Sequence, residues 1–314
     1  MTVEIVHYTP AHGAAWDALV DAARNGLFQF RRAYMDYHAD RFEDASLLAL
    51  VEGKPVAVLP ASIDRATGLA TSHGGLTFGG VVVKRDLRSE VAIGAVDALL
   101  DGLRAWGATA LEVRLLPQFL TAYPSAEVDY ALWRRGFALT RRDLSSALPL
   151  HDALALNLSK KQAVAKAGKS GLSVSEGSLA RFHGLLANVL GERHGSAPVH
   201  RLDELERLIA AFPGNIMLRA VERESEMLAG VLVFRYPTAW HTQYMAASDD
   251  GRKLGALDLI IASLIDEARD AGAKWFSFGT STTEGGRHLN EGLLWQKESF
   301  GARSVTHDFM RGTL

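Results

Sequence analysis

The chain has 314 residues, of which 48% are hydrophobic and 22% are charged, so it can bury a large core in one large or two smaller domains. Its 34 Lys and Arg residues against 36 Asp and Glu residues give a net charge of -2, which argues against a protein that coats nucleic acid over its whole surface. The absence of cysteine excludes disulfides, thiolate zinc sites and cysteine nucleophiles.

The N-terminus has no basic segment followed by an apolar run, and the apolar stretch from Leu257 to Ile265 is short and interrupted by Asp258. We therefore expect a cytoplasmic protein that does not enter a membrane. The eleven histidines show no His-x-x-x-His pair, so we expect no metal. The sequence is compatible with a homo-oligomer.

The first half of the chain alternates strand and helix signals. In order, the pattern predicts a strand, turn and strand over 47–63, a polar strand over 71–83, a helix with apolar Val91, Ala95, Ala98, Leu99 and Leu103, a strand over 111–116, a short helix at Leu132 and Trp133, and a strand over 137–150.

The second half repeats this order. It predicts a strand pair over 216–236, a polar strand over 240–248, a helix with the apolar stripe Leu257, Ile260, Ile261, Leu264, Ile265 and Ala268, a strand over 275–279, a short helix at Leu294 and Trp295, and a closing strand over 305–310.

Two landmarks measure the repeat. Gly107 and Gly272, each at the end of a long helix, stand 165 residues apart, and Leu132 and Leu294 stand 162 apart. We infer a duplicated unit, with domains at 1–150 and 151–314 and mixed α/β sheets flanked by helices. The junction, residues 157–172, carries Lys160, Lys161, Lys166 and Lys169 without an acid.

This order of elements resembles the GNAT acyltransferase fold, and its duplication resembles the Fem-type proteins, which carry two such domains. The resemblance covers nearly the whole chain and implies an acyl-CoA lying in a gap between two strands, beside a glycine-containing turn. Such a turn at a helix N-terminus offers unpaired amides and a positive dipole end to a phosphate. The candidate residues of this turn are Gly251, Arg252, Lys253, Leu254, Gly255 and Ala256. Arg252 and Gly255 fit the family pattern, and Leu257 departs from its last position.

Two further segments resemble these proteins. Residues 290–301 match a Fem-type C-terminal run, which implies that Asn290 belongs to the cofactor site and that Lys297 stabilises the tetrahedral intermediate. Residues 32–47 are similar to a subgroup associated with surface-polysaccharide synthesis, some of whose members acylate nucleotide-linked amino sugars. This similarity implies that Tyr37, His38 and Arg41 recognise the substrate.

Acyl transfer to an amine needs oxyanion donors, a base and an acid for the leaving thiolate. On the strand at 240–248, alternation places His241 and Gln243 on one face and Tyr244 on the other, so Gln243 or Tyr244 faces the site. His200, in a Pro-Val-His segment, is a candidate base or a structural histidine.

The remaining candidates are polar residues in loops and on one strand. Ser281 and Glu284 follow a strand end, where loops commonly hold substrate, although a plain polar turn would look similar. His73 and Arg114 are expected to contact a negatively charged donor or acceptor.

Three functions remain open. The first is acyl-CoA-dependent N-acyl transfer to an amino sugar, with small-molecule substrates. The second is aminoacyl transfer from aminoacyl-tRNA onto a cell-wall precursor, with the lysines of residues 160–169 on RNA phosphates. The third is a non-catalytic ligand-binding protein with a decayed site, which the departure at Leu257 favours.

Overall fold

The computed structural model describes residues 2–224 and 226–314, apart from the side chains of Arg193 and His194. The chain divides into two compact units. Unit 1 comprises Met1–Asp143, Glu284–Arg287 and Thr306–Leu314, and unit 2 comprises Leu144–Thr283 and His288–Val305. Across the described residues, no helix combines the length and apolar character needed to cross a membrane.

Among its described residues, the first half of the chain forms four α-helices and nine strands. The helices are α1 (Gly13–Asp21), α2 (Arg32–Met35), α3 (Ser89–Ala105) and α4 (Glu127–Arg134). The strands are β1 (Glu4–His7), β2 (Glu43–Asp44), β3 (Leu47–Val51), β4 (Lys54–Leu59), β5 (Ser62–Asp64), β6 (Leu69–Thr71), β7 (Val82–Val83), β8 (Ala110–Arg114) and β9 (Ala138–Pro149).

The second half forms six helices and eight strands among its described residues. The helices are α5 (Leu158–Lys169), α6 (Leu179–His194), α7 (Leu202–Ala211), α8 (Asp249–Leu254), α9 (Ala256–Asp270) and α10 (Glu291–Glu298). The strands are β10 (Ser175–Glu176), β11 (Ile216–Arg223), β12 (Glu226–Arg235), β13 (Ala239–Ala247), β14 (Trp275–Thr280), β15 (Thr282–Thr283), β16 (His288–Leu289) and β17 (Arg303–Thr313).

Unit 1 contains two strand layers. One has the order β1-β3-β4-β7, and the other has the order β17-β8-β6-β5-β2, with β6 and β8 parallel. The polar strand expected over 71–83 is instead two short strands, β6 and β7. The segment between them turns at Gly74 and Gly75, whose backbones lie too close to the rings of Phe42 and His38 for any side chain.

Unit 2 contains a mixed sheet in the order β10-β11-β12-β13-β14-β9. β11, β12 and β13 are antiparallel, and β13 and β14, joined through α8 and α9, are parallel. The stripe expected on α9 is buried from Ile260 to Ala268, whereas Leu257 is only half-buried. The predicted mixed α/β fold with a repeated unit is confirmed.

The last strand of each repeat determines which residues belong to which unit. Residues 145–149 of β9 pair with β14 inside unit 2, and residues 309–313 of β17 pair with β8 inside unit 1. The chain therefore passes from unit 1 to unit 2 at residue 144 rather than at the expected 151. Its last nine residues return to unit 1 because a strand belongs to the sheet that it pairs with.

Candidate active site

The sheet of unit 2 opens between two neighbouring strands. β13 pairs with β14 only over residues 239–241 and 275–277, while it pairs with β12 along nearly its whole length. Among the described residues, no strand pairs with the β14-facing edge of residues 242–247. We call this gap the wedge. It leaves a row of backbone N–H and C=O groups at a strand edge, which is a template for pairing with another extended chain.

A β-bulge lies where the wedge begins. Thr242 pairs with Val233 and Tyr244 pairs with Leu232, so Gln243 is an extra residue on β13. Directly paired residues share a face of a sheet, and His241 therefore lies on the same face as Tyr244. The expected alternation, with His241 and Gln243 together and Tyr244 opposite, is wrong because the bulge interrupts the period of two.

Tyr244, Gln243 and His200 come together beside the bulge. The Tyr244 Oη atom lies 2.6 Å from Nδ1 of His200, and the Gln243 side chain also hydrogen-bonds to the phenol. His200 is buried, and Nε2 of His183 lies 3.0 Å from its carbonyl oxygen. Burial raises the pKa of Tyr244, although hydrogen bonds from Gln243 and His200 oppose this. At neutral pH the phenol therefore keeps the proton that an acid needs to donate.

Lys297 lies under the end of β14. From α10, its Nζ donates to the carbonyl oxygens of Gly279 (2.9 Å) and Thr280 (2.5 Å) and to Oγ of Ser281 (2.9 Å). The side chain is only 2% exposed, and burial lowers the pKa of Lys297 to about 7. Three oxygen acceptors use all three N–H groups of an ammonium. Direct contact with an oxyanion would require release of one bond, so this geometry supports a positioning role.

A serine–histidine pair marks the apex of the wedge. Nδ1 of His241 lies 3.0 Å from Oγ of Ser277, and both residues are buried. Gly279 has φ +71°, and a Cβ added to it would lie 3.4 Å from Cε1 of His241. The sequence analysis did not select this pair. The available signal was Ser277, a polar residue between Phe276 and Phe278 on β14, and all three residues are buried.

The turn predicted to bind phosphate is a short helix, α8, capped by Ser248. A Cβ at Gly251 would meet the Leu228 carbonyl oxygen at 1.9 Å, and a Cβ at Gly255 would meet that of Ala163 in α5 at 2.6 Å. Close backbone packing therefore accounts for both glycines.

The other residues of the turn differ in exposure. Ala256 is fully buried at the start of α9, and Leu254 is half-buried. The Arg252 guanidinium donates to the Ala247 carbonyl and to Asp249. Exposed Lys253 pairs with Asp250, and its carbonyl oxygen accepts from Nζ of Lys166 in α5.

Asn290, Ser281 and Glu284 occupy three different environments. Asn290 caps α10 by accepting from the amide of Leu293, and its own amide donates to the carbonyl of Ser281. Ser281 is buried on Lys297, whereas Glu284 is exposed in a segment that belongs to unit 1. The structure thus joins Ser281 to Lys297.

The predicted substrate residues of unit 1 form an aromatic cluster. The ring centroids of Tyr37 and His38 are 3.7 Å apart, those of His38 and His73 are 5.6 Å apart, and the Arg41 guanidinium lies 5.5 Å from the Tyr37 ring. His38 and His73 are buried, and burial lowers the pKa of His73 to about 4. Tyr37 is half-buried and Arg41 is exposed, so these two side chains are accessible to a ligand.

Arg114 and Arg32 complete this part of unit 1. Nη1 of Arg114 donates to the carbonyl oxygens of Gly74 and Leu76, which fixes the turn that carries His73. Buried Arg32, which sequence reasoning did not select, lies 3.6 Å from the Tyr8 ring and pairs with Asp36 and Asp44. Only its place in the segment over 32–47 could have pointed to it.

Part of the chain that contains the wedge is similar to a known protein family. Residues 159–285, which contain the wedge, match a family model described as an acetyltransferase (GNAT) domain. No curated protein sequence matches the chain.

Solved structures match both units. A crystal structure of FemX matches with a TM-score of 0.71 at 14% identity, over 99% of this chain and 97% of that one. L-PGS from Bacillus licheniformis matches with a TM-score of 0.62 at 10% identity, over 97% and 92%. A tandem GNAT protein from the clavulanic acid biosynthesis pathway matches with a TM-score of 0.55 at 11% identity, over 99% and 98%.

The chain has the double-GNAT, Fem-type fold, as the sequence predicted. The GNAT domain match, which covers the wedge, confirms that the protein is an acyltransferase by class.

Proposed function

We propose that the protein transfers an acyl group from acyl-CoA to the amine of an amino sugar, with the donor held in the wedge of unit 2. The supporting observation is the unpaired edge of β13 over residues 242–247. The pantetheine arm of CoA contains two amides, which can pair with such an edge as an added strand would. The amino-sugar acceptor rests on the similarity of residues 32–47 and on the accessible Tyr37 and Arg41.

The residues beside the bulge fit the proton transfers of this reaction. The amine nitrogen attacks the thioester carbon, a C–N bond forms, and the C–S bond breaks. The thiolate takes the phenolic proton of Tyr244. The proton lost by the amine passes through His200, 2.6 Å away, and restores the phenol, so atoms and charge balance.

Lys297 and Ser281 act on the position of the reacting groups in this proposal. Lys297 fixes the carbonyls of Gly279 and Thr280, and thereby the strand end that borders the wedge. An ammonium at this place also favours the negative charge that develops on the thioester oxygen.

Hydrogen exchange with acetyl-CoA tests the donor site. We expect protection of the amides of residues 242–247, and no change at residues 81–84 around β7, which serve as the internal control. Saturating acetyl-CoA at about 100 Kd should stabilise the protein by about 2.7 kcal/mol. Unchanged exchange at 242–247 together with an unchanged Tm would contradict the proposal.

A second candidate is aminoacyl transfer from aminoacyl-tRNA. The observation that favours it is the close packing of Gly255 against Ala163 of α5, which accounts for this glycine without a CoA pyrophosphate. α5 also exposes Lys161, Lys166 and Lys169, whereas Lys160 is buried and pairs with Asp258 at 2.6 Å. Binding of charged tRNA that weakens steeply with salt, together with the loss of this binding in a Lys161→Gln/Lys169→Gln variant, would favour this candidate.

A further inference from the structure

One sheet of unit 1 turns a polar face away from its core. Val113 and Met310, which pair across β8 and β17, belong to the apolar core that includes α3 and α4. The next pair along the strands, Arg114 and Phe309, must lie on the opposite face because side chains alternate. This second face carries cations and aromatic rings, whereas a face that packs on an apolar core carries mainly aliphatic side chains.

Arg114 is a half-buried cation that forms no ion pair with the described residues. Its Nη1 donates to two carbonyl oxygens, but its Nε is buried without a hydrogen-bond partner, and no described carboxylate lies within 4 Å of the guanidinium. Burial lowers the pKa of Arg114, Glu112 opposes this shift, and the charge of Arg141 adds to it. A guanidinium in such a place is stabilised when an anion approaches.

His307 lies on the same face as Phe309, two residues away on β17. Its ring centroid is 5.0 Å from that of Phe78 and 4.7 Å from that of Phe309, and the residue is only 7% exposed. Nε2 of His307 is buried and has no hydrogen-bond partner among the described residues. Burial is the main cause that lowers the pKa of His307 to about 4, so the ring is neutral at pH 7 and offers one N–H and one lone pair.

Arg141 on β9 supplies a second guanidinium. It packs 4.5 Å from the Phe309 ring centroid and holds Asp143 with two hydrogen bonds of 3.0 and 2.7 Å. Its side chain is 42% exposed, whereas that of Asp143 is 4% exposed. The carboxylate therefore fixes the guanidinium from the buried side and leaves its other edge accessible.

We propose that Arg114, Arg141 and His307 form a binding site for a phosphate group in unit 1. Two guanidinium groups recognise phosphate oxygens through paired N–H donors, and a neutral imidazole adds one more donor. Buried polar atoms without partners, such as Nε2 of His307 and Nε of Arg114, mark a place where a ligand can complete the hydrogen bonding. The phenyl rings of Phe78 and Phe309 provide an apolar surface for the group that carries the phosphate.

This inference rests on the proposed function for the identity of the ligand. A nucleotide-linked amino sugar carries a diphosphate, so the site would bind the acceptor through that group. The phosphate chemistry could equally belong to a sugar phosphate without a nucleotide. Binding of pyrophosphate, UDP and glucosamine 6-phosphate, measured separately, distinguishes these sources, and glucosamine serves as the ligand without phosphate.

Calorimetric titration with pyrophosphate is the test. We expect Arg114→Gln to weaken binding at least tenfold, because a cation facing the phosphate is lost, and Arg114→Lys to weaken it less. The control is Arg135→Gln, which removes the arginine that follows α4 and pairs with Asp101 of α3 at 2.7 Å. Binding that is equal in the wild type and Arg114→Gln would overturn the proposal.

A second measurement places the ligand. The imidazole ¹⁵N resonances of His307 should shift when pyrophosphate is added, and a His307→Phe variant assigns them. Unmoved His307 resonances under saturation would also overturn the proposal. Loss of pyrophosphate binding in Arg114→Gln supports the site whether or not acyl transfer is detected, so failure of the proposed enzymatic activity remains distinguishable from failure of the site.

Discussion

β7 and β13 hold the same place in the two repeats, since each is the last strand before a long helix, but their open edges differ. In unit 1 the side chain of Asn25 donates to the Val81 carbonyl and accepts from the Val83 amide, both at 2.9 Å. Residue 23 forms a bridge with Lys84, and the carbonyl of Arg24 accepts from the amide of Ala122. Residues 23–25 thus occupy the edge of β7, whereas the edge of β13 stays open.

Under the proposed function, the difference indicates that duplication of the fold did not duplicate the donor site. In unit 1, residues 23–25 occupy the edge of β7 with backbone groups and a side-chain amide. A pantetheine arm would offer amide groups of the same kind. Of these two edges, as the described residues show them, that of β13 is open and that of β7 is occupied. Under the proposed function we therefore expect one acyl-CoA per chain.

Tyr244→Phe should lower kcat by about 10² to 10³, the range expected when an acid or base is removed. The substitution removes only the phenolic hydroxyl, and the hydrogen bond between this hydroxyl and His200 is lost. Tyr123→Phe, at an exposed tyrosine of unit 1, is the matched control and should leave kcat unchanged. Equal kcat in Tyr244→Phe and the wild type would remove Tyr244 from the mechanism.

Lys297→Met should lower kcat by about 10- to 100-fold, because the carbonyls of Gly279 and Thr280 lose their shared donor. Lys274→Met, at an exposed lysine of unit 2, is the control.

The pH dependence separates the role of Lys297 in catalysis from its effect on stability. Burial lowers its pKa to about 7, so activity should fall as pH rises through 7 and the ammonium is lost. Between that value and 10.5 the unfolded chain binds the additional proton, so this group makes stability rise with pH. A descending limb that persists unchanged in Lys297→Met would show that another group causes it.

Repeat spacing and apolar periodicity were sufficient to predict the fold. The glycine and leucine landmarks, and the buried stripe from Ile260 to Ala268, depend on local properties of the sequence. The exchanged last strands could not be predicted, because which sheet β9 and β17 join depends on contacts between residues far apart in the chain.

The candidate site was less predictable because single residues alter it. One extra residue, Gln243, reverses the face on which Tyr244 lies, and no composition signal marks a bulge. The contact between Tyr244 and His200 joins residues 44 positions apart. The glycines of the turn did carry a signal, but for close packing against Leu228 and Ala163.

Asn25→Ala should destabilise the protein by about 1–3 kcal/mol, because two buried backbone groups of unit 1 lose their partners. Turnover per folded molecule should not change if unit 1 holds no donor. Asn215→Ala, which removes a single side-chain bond to the Arg235 carbonyl in unit 2, should cost less. Denaturant unfolding and kcat give both readouts. A fall in kcat without loss of stability would mean that the edge of β7 takes part in donor binding.

Gly255→Ala tests whether the turn in unit 2 serves packing or a phosphate, a question that does not arise in unit 1, where residues 84–88 contain no glycine. At φ +76° an added Cβ is strained and would meet the Ala163 carbonyl at 2.6 Å. Gly136→Ala is the control, because Gly136 has φ +81° with nothing within 4 Å of an added Cβ. Both variants carry the left-handed cost of about 1–2 kcal/mol, so only Gly255→Ala should lose more. If packing is its whole role, acetyl-CoA affinity per folded molecule will be equal in the two variants; a tenfold weaker affinity in Gly255→Ala alone would instead place the phosphates at α8.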